Sequence, residues 1–210
     1  MVLLALQILD GLPLAEMKHN DADYIHTVIE ALKLAAADRE ASFGDPAHID
    51  VPLDELLSTP YAAHQRARIA AEASPTMPIP GPVAGKEVPA WRPDPTSLEA
   101  DAVAAGLETS YFCVIDAKGN LFSATPSDPT ISGDVVPGTG LTISRWGSRG
   151  HTAPDHPARV EPGWRPRMSA NPMLAMDAAG GLMPLGSPGS EVLGQAQLQV
   201  FLNLAVFGMS

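Results

Sequence analysis

Along residues 1–73, apolar side chains recur at the three- and four-residue spacing of amphipathic helices. Asp21 stands where a helix N-cap is expected, and Gly44 follows the longest periodic run, where helices commonly end. Four segments are predicted as helices: residues 3–8, 22–43, 53–57 and 61–73. The N-terminal third of the chain is therefore expected to be helical.

From residue 109 onward, apolar and polar residues alternate as they do in half-buried strands. Gly119 lies in a turn between two such runs, and residues 177–181 separate two further runs, which predicts two hairpins. Extended segments are predicted at residues 109–116, 121–125, 135–143, 173–176 and 182–185, and a last amphipathic helix at residues 192–207. Helices followed by strands and a closing helix predict an α+β fold.

A proline-rich segment separates the helical part from the strands. Seven prolines fall between residues 74 and 95 and interrupt any regular hydrogen-bonding pattern. This segment is expected to be an extended, solvated connector without chemistry of its own. The organisation predicted is a helical part (1–73), a connector (74–108) and a strand-rich part (109–210).

Charge and cysteine content exclude several functions. The 210 residues carry 24 acidic and 13 basic side chains, a net charge of −11, which argues against binding nucleic acid phosphates or anionic membranes. Residues 1–108 hold 17 acidic and 7 basic residues, a net of −10, so the acidity belongs to the N-terminal half. The single cysteine, Cys113, excludes a disulfide framework within the chain and a multi-cysteine zinc site.

The apolar start of the chain does not resemble a targeting segment. No basic residue precedes residues 3–8, and the run is far shorter than the roughly 20 apolar residues that cross a bilayer. A packed helix is the preferred interpretation. Because this helix starts abruptly without a capping residue, we expect further chain upstream, and any signal peptide would lie there.

Several residue clusters have an ordinary structural explanation. His151 and His156 could ligate a metal, but their spacing matches no established ligand pattern, so we expect a solvated loop and no metal site. Asp21 and Asp23 lack the glycine and glutamate of a calcium loop, and helix capping explains them better.

Two features could carry catalysis. Thr109 opens the first predicted strand, and a threonine at a new N-terminus can attack a carbonyl while its own α-amine, of pKa about 8, takes the proton. Residues 186–189 join a strand to the last helix, and backbone N–H groups of such a turn can stabilise an oxyanion. The residues alone leave open that Thr109 is an ordinary strand residue.

Six motifs, in order along the chain, resemble the γ-glutamyltranspeptidase family of N-terminal nucleophile hydrolases. Residues 24–39 with Gly44-Asp-Pro46 resemble a helix and turn late in the family's large subunit, and residues 109–116 resemble the start of its small subunit. The other motifs are Pro52 with residues 56–62, Pro137-Gly-Thr-Gly140, residues 162–166 and Gly186-Ser-Pro-Gly189, while Gly119-Asn120 belongs to the same motif as residues 109–116. The resemblance covers nearly the whole chain.

The resemblance implies a self-cleaving precursor. The cut falls between Glu108 and Thr109, and Thr109 becomes the nucleophile, with amides of Gly189 and Ser190 as the oxyanion hole. Residues 1–73 then belong to the large subunit, 74–108 end it, and 109–210 begin the small catalytic subunit. The implied fold is the four-layer αββα sandwich, incomplete in this chain. The implied partners are a small amide or peptide substrate and the other piece of the same precursor as a heterodimer, without a cofactor.

The acyl-transfer residues match the family better than the residues that recognise a γ-glutamyl group. Ser127 stands where a threonine orients the nucleophile, whereas Pro129 replaces an asparagine that holds the substrate's α-amino group. Arg149 falls near an acidic residue that grips the same amine, which reverses the charge. Asp128 is carried over as a neighbouring substrate-binding residue.

Other family positions differ as well. Ser110 and Tyr111 replace a threonine and a histidine after the nucleophile, and Met168 and Ser169 stand where two serines bind the substrate carboxylate. Because an arginine repels an ammonium, we expect an acyl group without one.

Three functions remain open from the sequence. The first is an autoprocessed γ-glutamyltransferase or hydrolase acting on compounds such as glutathione. The second is a related acylase or amidohydrolase whose substrate lacks the α-ammonium. The third is an inactive, truncated homologue, because parts of the family's two subunits, including the arginine that grips the substrate carboxylate, have no counterpart in these residues. The compartment stays open: periplasmic or secreted with an upstream signal peptide, otherwise cytoplasmic.

Overall fold

A computed structural model of the chain describes residues 1–87, 109–128, 134–144, 146–189 and 192–209. The helices are α1 (Val2–Leu9), α2 (Ala22–Ser42), α3 (Leu53–Leu56), α4 (Thr59–Arg66) and α5 (Leu193–Ala205). The strands are β1 (Phe112–Ile115), β2 (Leu121–Ala124), β3 (Met173–Met176) and β4 (Leu182–Leu185), and short 3₁₀ turns lie at Leu14–Glu16 and Trp146–Arg149. The chain thus combines helices with small antiparallel sheets, while the layering of a sandwich remains a prediction.

The described residues form two compact units. The first contains residues 1–87, 151–167 and 202–209, and the second contains residues 109–128, 134–144, 146–150, 168–189 and 192–201. In the first unit, α1 packs against α2 and α4 through fully buried side chains such as Ile8 and Leu34. The Asp21 carboxylate accepts the backbone N–H of Tyr24 (3.3 Å), which confirms it as the N-cap of α2 and contributes about 1 kcal/mol.

An arginine of α4 closes the end of α1. The Arg66 guanidinium donates to the carbonyl oxygens of Ile8 (2.7 Å) and Gln7 (3.1 Å), which have no partner further along their own helix. Gly11 makes room for this contact, because a β-carbon there would overlap the guanidinium. A side chain at Gly11 would therefore displace the guanidinium from the end of α1.

The proline-rich segment is anchored where the structure describes it, through residue 87. It has no helix or strand there, as expected, but the buried backbone N–H of Gly81 donates to the Asp38 carboxylate (2.8 Å). The same carboxylate accepts from Gln65 (2.5 Å), and Arg68 donates to the carbonyl of Ile79 (2.7 Å). These buried contacts differ from the expectation that the connector is solvated throughout. Residues 88–108 lie outside the described residues.

Two β-hairpins form the strand part of the second unit. β1 pairs with β2 so that Cys113 lies opposite Ser123, and β3 pairs with β4 so that Met173 lies opposite Leu185. β2 contacts β4, and the Ser123 hydroxyl donates to the Met173 carbonyl (3.2 Å). Both predicted hairpins are confirmed, with strands shorter than predicted.

Two predicted elements differ from the structure. The alanine-rich helix α4 ends at Arg66 instead of residue 73, and side chains of α2 bind the residues that follow it: His26 donates to the carbonyl of Ala70 (2.8 Å) and Lys33 to that of Ser74 (2.6 Å). Residues 135–143, predicted as an extended segment broken at Pro137-Gly138, form a tight reversal with an isolated bridge between Val135 and Thr142. Among the described residues, no helix combines the length and apolar character needed to cross a membrane.

Candidate active site

Thr109 faces Ser127 across an antiparallel bridge just before β1. Their hydroxyl oxygens Oγ1 and Oγ lie 2.9 Å apart, and the backbone N–H of Ser110 donates to the carbonyl of Pro126 (3.1 Å). Both side chains are half-buried. The bridge keeps the register of the β1–β2 hairpin, so the hairpin itself aligns the two hydroxyls. A hydroxyl held this way has a fixed direction, which suits a nucleophile.

A tryptophan supports the backbone of Ser127. The Trp146 indole Nε1–H donates to the Ser127 carbonyl (3.0 Å), and the Arg149 guanidinium carbon lies 5.8 Å from the centre of the Trp146 ring. The Asp128 carboxylate accepts from the Ser144 hydroxyl (2.7 Å). Contacts through Trp146 and Ser144 therefore connect Thr109, Ser127, Asp128 and Arg149, four of the residues predicted for the site.

Sequence reasoning missed Trp146 and Ser144. Neither belongs to a motif quoted for the family, and only the rarity of tryptophan, three in 210 residues, could have singled out Trp146. Thr125 is a third omission: its buried hydroxyl has no hydrogen-bond partner among the described residues, and it lies two residues before Ser127 on the same face of the strand. The face that carries Thr109 is therefore rich in hydroxyl groups.

The predicted oxyanion turn follows β4. Gly189 has φ 123°, a backbone conformation that residues with a side chain rarely adopt, and this explains the glycine. At the start of the turn, a β-carbon on Gly186 would overlap the ring of Tyr111. Ser190 lies outside the described residues, as do Glu108 and Pro129, so their predicted roles stay predictions.

The two residues expected to bind a carboxylate are placed on the segment that leads into β3. Ser169 is half-buried, and the Met168 side chain is 47% exposed. The hydrogen bonds that join Thr109 to Ser127 and Asp128 to Ser144 include neither of them. A role for Met168 and Ser169 in substrate binding remains a prediction.

His156 is fully buried, which corrects the expectation of a solvated loop around His151 and His156. Its Nε2 lies 3.8 Å from the Glu40 carboxylate, the His151 Nε2 lies 3.7 Å from it, and the two rings stack at 3.5 Å with an angle of 8°. Burial, followed by the charges of His151 and Arg167, lowers the pKa of His156 to about 3. His156 is therefore neutral at pH 7.

These three residues, Glu40, His151 and His156, form the one metal-like cluster among the described residues, but its geometry does not suit a metal. The backbone N–H of Ala158 donates to His156 Nδ1 (2.9 Å), which leaves the proton of the neutral ring on Nε2. Parallel stacked rings direct their in-plane lone pairs side by side instead of toward one point. The Glu40 carboxylate is also bound by Arg167 (2.6 Å). The cluster acts as a polar contact between α2 and residues 151–167.

Comparison with known proteins places the chain in context. A family model described as gamma-glutamyltranspeptidase matches residues 1–210. The acylase ACY 1 proenzyme of Pseudomonas sp. (strain V22) is 30% identical over 207 residues, 98% of this chain and 34% of that protein. The glutathione hydrolase-like YwrD proenzyme of Bacillus subtilis (strain 168) is 30% identical over 211 residues, 99% of this chain and 35% of that protein.

A solved structure agrees with these relatives. The crystal structure of a cephalosporin acylase from Bacillus halodurans matches with a TM-score of 0.75 and 28% identity, covering 99% of this chain and 34% of that one. The chain therefore spans about a third of the length of the relatives it matches.

Proposed function

The chain belongs to the γ-glutamyltranspeptidase family, and on that premise we propose that it carries the threonine nucleophile of an autoprocessed amide hydrolase or acyltransferase. The observation that supports this most strongly is the 2.9 Å contact between the hydroxyls of Thr109 and Ser127 at the start of the first strand. The names of the relatives, glutathione hydrolase and acylase, agree with chemistry on amide bonds.

The mechanism begins with cleavage of the chain between Glu108 and Thr109. The freed Thr109 amine then accepts the proton of its own hydroxyl as Oγ1 attacks the substrate carbonyl. Amides of Gly189 and Ser190 stabilise the oxyanion that forms, and Ser127 holds Oγ1 in the direction of attack. The proton passes to the leaving amine, which departs and leaves an ester between the acyl group and Thr109. Water, or the amine of an amino acid, then releases the acyl group and restores the Thr109 hydroxyl.

The same proposal gives the protein two pieces that stay together as a heterodimer. After the cut, the connector becomes the end of the large piece, and the bonds from Gly81 to Asp38 and from Arg68 to the Ile79 carbonyl keep this part of it attached to α2 and to the residues after α4. The cut therefore frees the Thr109 amine, while the connector stays bound to the helical part of the same piece.

For the substrate, we favour an acyl group with no α-ammonium. Arg149 carries a positive charge and contacts the Trp146 ring. The Trp146 indole in turn donates to the carbonyl of Ser127, the residue that faces Thr109. An ammonium near this guanidinium would be repelled, while a carboxylate would be attracted. A dicarboxylic acyl group such as glutaryl fits this charge, and a γ-glutamyl group, as in glutathione, fits it less well.

The release of p-nitroaniline from two matched amides tests this preference. Glutaryl-p-nitroanilide should be hydrolysed with a higher kcat/KM than γ-glutamyl-p-nitroanilide, and Arg149→Glu should shift the ratio toward the γ-glutamyl compound. A clear preference of the unmodified protein for the γ-glutamyl amide would overturn the substrate assignment while leaving Thr109 as the nucleophile.

The nucleophile itself is tested by substitution and by trapping. Thr109→Ala should abolish hydrolysis of both amides, whereas Ser110→Ala, which removes the neighbouring exposed hydroxyl, should retain it. With the unmodified protein, rapid acid quenching followed by peptide mass analysis should find the acyl group on residue 109. If the protein shows neither amidase activity nor cleavage, the result would support the hypothesis of an inactive homologue.

A further inference from the structure

Tyr111 shares one face of the hairpin with the proposed nucleophile. The bridge between Thr109 and Ser127 continues the register of β1 and β2, which sets Tyr111 opposite Thr125. Since side chains two residues apart on an extended strand point to the same side, Thr109 and Tyr111 face the same way. Phe112, the next residue, faces the opposite way and is 48% exposed.

The phenol end of Tyr111 is fixed by a hydrogen-bond chain of defined direction. Tyr111 Oη lies 3.1 Å from Ser123 Oγ, and Ser123 Oγ lies 3.2 Å from the carbonyl oxygen of Met173. A carbonyl only accepts, so the single proton of Ser123 goes to Met173, and Tyr111 must donate to Ser123. Through this chain, Tyr111 connects the first hairpin to the start of β3.

The ring of Tyr111 lies directly against Gly186. A β-carbon on that glycine would overlap ring carbons Cδ2 and Cε2, so the close approach requires a residue without a side chain. Gly186 opens the turn that leads to Gly189, whose φ of 123° also demands glycine. Tyr111 therefore contacts the start of the turn whose amides are proposed to stabilise the oxyanion.

Resting on the proposed function, we propose that Tyr111 is a positioning residue that holds the 186–189 turn at a fixed place relative to the Thr109 hydroxyl. Thr109 lies two residues before Tyr111, and Gly186 at the start of the turn lies against the Tyr111 ring, so this side chain links the segment of the nucleophile to the turn. Displacing either by about 1 Å lowers the rate on the order of a hundredfold, since reactions of this kind depend on orientation. Tyr111 acts on the rate of acylation without touching the substrate.

Steady-state and rapid-quench kinetics of the full chain on glutaryl-p-nitroanilide test this role. Tyr111→Leu should lower kcat and the acylation rate roughly 10- to 100-fold with KM changed less than about twofold. The matched control is Phe112→Leu, an aromatic residue on the opposite face of the same strand, which should keep the unmodified rate. Tyr111→Phe keeps the ring against Gly186, so its kcat should fall only a few-fold.

A double-variant cycle tests the contact itself. Gly186→Ala should lower kcat as much as Tyr111→Leu because the new methyl group displaces the ring. In Tyr111→Ala/Gly186→Ala the overlap is gone, so kcat should exceed the value expected from multiplying the single effects of Tyr111→Ala and Gly186→Ala. If Tyr111→Leu fails to fold, the comparison of Tyr111→Phe with Gly186→Ala carries the same test.

The outcomes separate this role from the proposed function. Additive losses in the cycle, a rise in KM at unchanged kcat, or equal losses in Tyr111→Leu and Phe112→Leu would overturn the positioning role while Thr109→Ala remains inactive. Unmodified protein that behaves like Thr109→Ala would overturn the proposed function, and this inference with it.

Discussion

The hydroxyl oxygens of Thr109 and Ser127 lie 2.9 Å apart across the two strands of the first hairpin, within hydrogen-bonding distance. An antiparallel bridge next to the strands holds this pair in register, and the indole N–H of Trp146 donates to the Ser127 carbonyl. The direction of the Thr109 hydroxyl is thus determined by a hairpin and one loop, both within the second unit. Four predictions follow from this contact and from the packing of the first unit.

Removing the hydroxyl that faces Thr109 should slow catalysis without abolishing it. Ser127→Ala deletes one hydrogen bond, worth about 1 kcal/mol, so hydrolysis of glutaryl-p-nitroanilide should fall roughly fivefold in kcat. Ser127→Thr restores an oxygen at the same place and should recover most of the rate. Equal activity of Ser127→Ala and the unmodified protein would show that this contact has no part in catalysis.

Acid should destabilise the first unit through Asp45. Hydrogen bonds from the Arg165 side chain, and then from backbone N–H groups, hold the pKa of the Asp45 carboxyl well below its usual range near 4. Below about pH 4, the unfolded chain binds a proton at Asp45 that the folded chain does not, so stability is lost progressively as the pH falls toward the folded pKa.

Urea unfolding between pH 2.5 and pH 7 measures this contribution. The unmodified protein should show a midpoint that falls as the pH drops below about 4, and Asp45→Asn should be less stable at pH 7 with a flatter acid limb. Asp54→Asn, which removes an exposed carboxylate of α3, serves as the control and should keep the steep limb. Identical pH profiles for Asp45→Asn and Asp54→Asn would contradict the assignment.

Gly44 is predicted to tolerate no side chain. A β-carbon there would overlap the carbonyl of Pro157 and approach Ile49 to 2.9 Å, so Gly44→Ala should destabilise the protein by about 1–3 kcal/mol. Gly147 has no atom within 4 Å of the corresponding position and is the matched control. Thermal unfolding should show a lower Tm for Gly44→Ala and an unchanged or slightly higher Tm for Gly147→Ala. Equal midpoints would disprove the close packing.

Zinc should leave the protein unaffected. Because His156 accepts a backbone N–H at Nδ1 and Glu40 is bound to Arg167, the cluster of Glu40, His151 and His156 is not arranged to bind a divalent cation. The Tm should be the same with EDTA and with a twofold excess of Zn²⁺. A rise of several degrees with zinc that His156→Asn removes would show that the cluster does bind metal.

The sequence predicts those features that depend on local pattern. The cap at Asp21, both hairpins and the last helix come from periodicity and turn residues, and the structure agrees with them. The end of α4 was missed, and the residues that follow it are bound by His26 and Lys33, which lie more than 40 residues earlier in the chain. Contacts of this kind leave no periodic signal in the sequence.

The candidate site divides in the same way. Thr109 is singled out by its place at the start of the first predicted strand and by the family resemblance, and Ser127 by the resemblance alone. Trp146, Ser144 and the contact of Tyr111 with Gly186 depend on how loops and hairpins meet, which no spacing along the chain reveals. Burial of His156 was missed for the same reason: residues 151–167 are polar in sequence, yet they pack in the same unit as α2.

The intact mass of the purified protein under denaturing conditions tests the central claim most directly. Two fragments should appear, with residue 109 as the new N-terminus by terminal sequencing. Thr109→Ala should remain a single chain, and Thr109→Ser, which keeps a hydroxyl, should still cleave. A single uncut chain in the unmodified protein, or fragments that persist in Thr109→Ala, would contradict the assignment of Thr109 as a self-activating nucleophile.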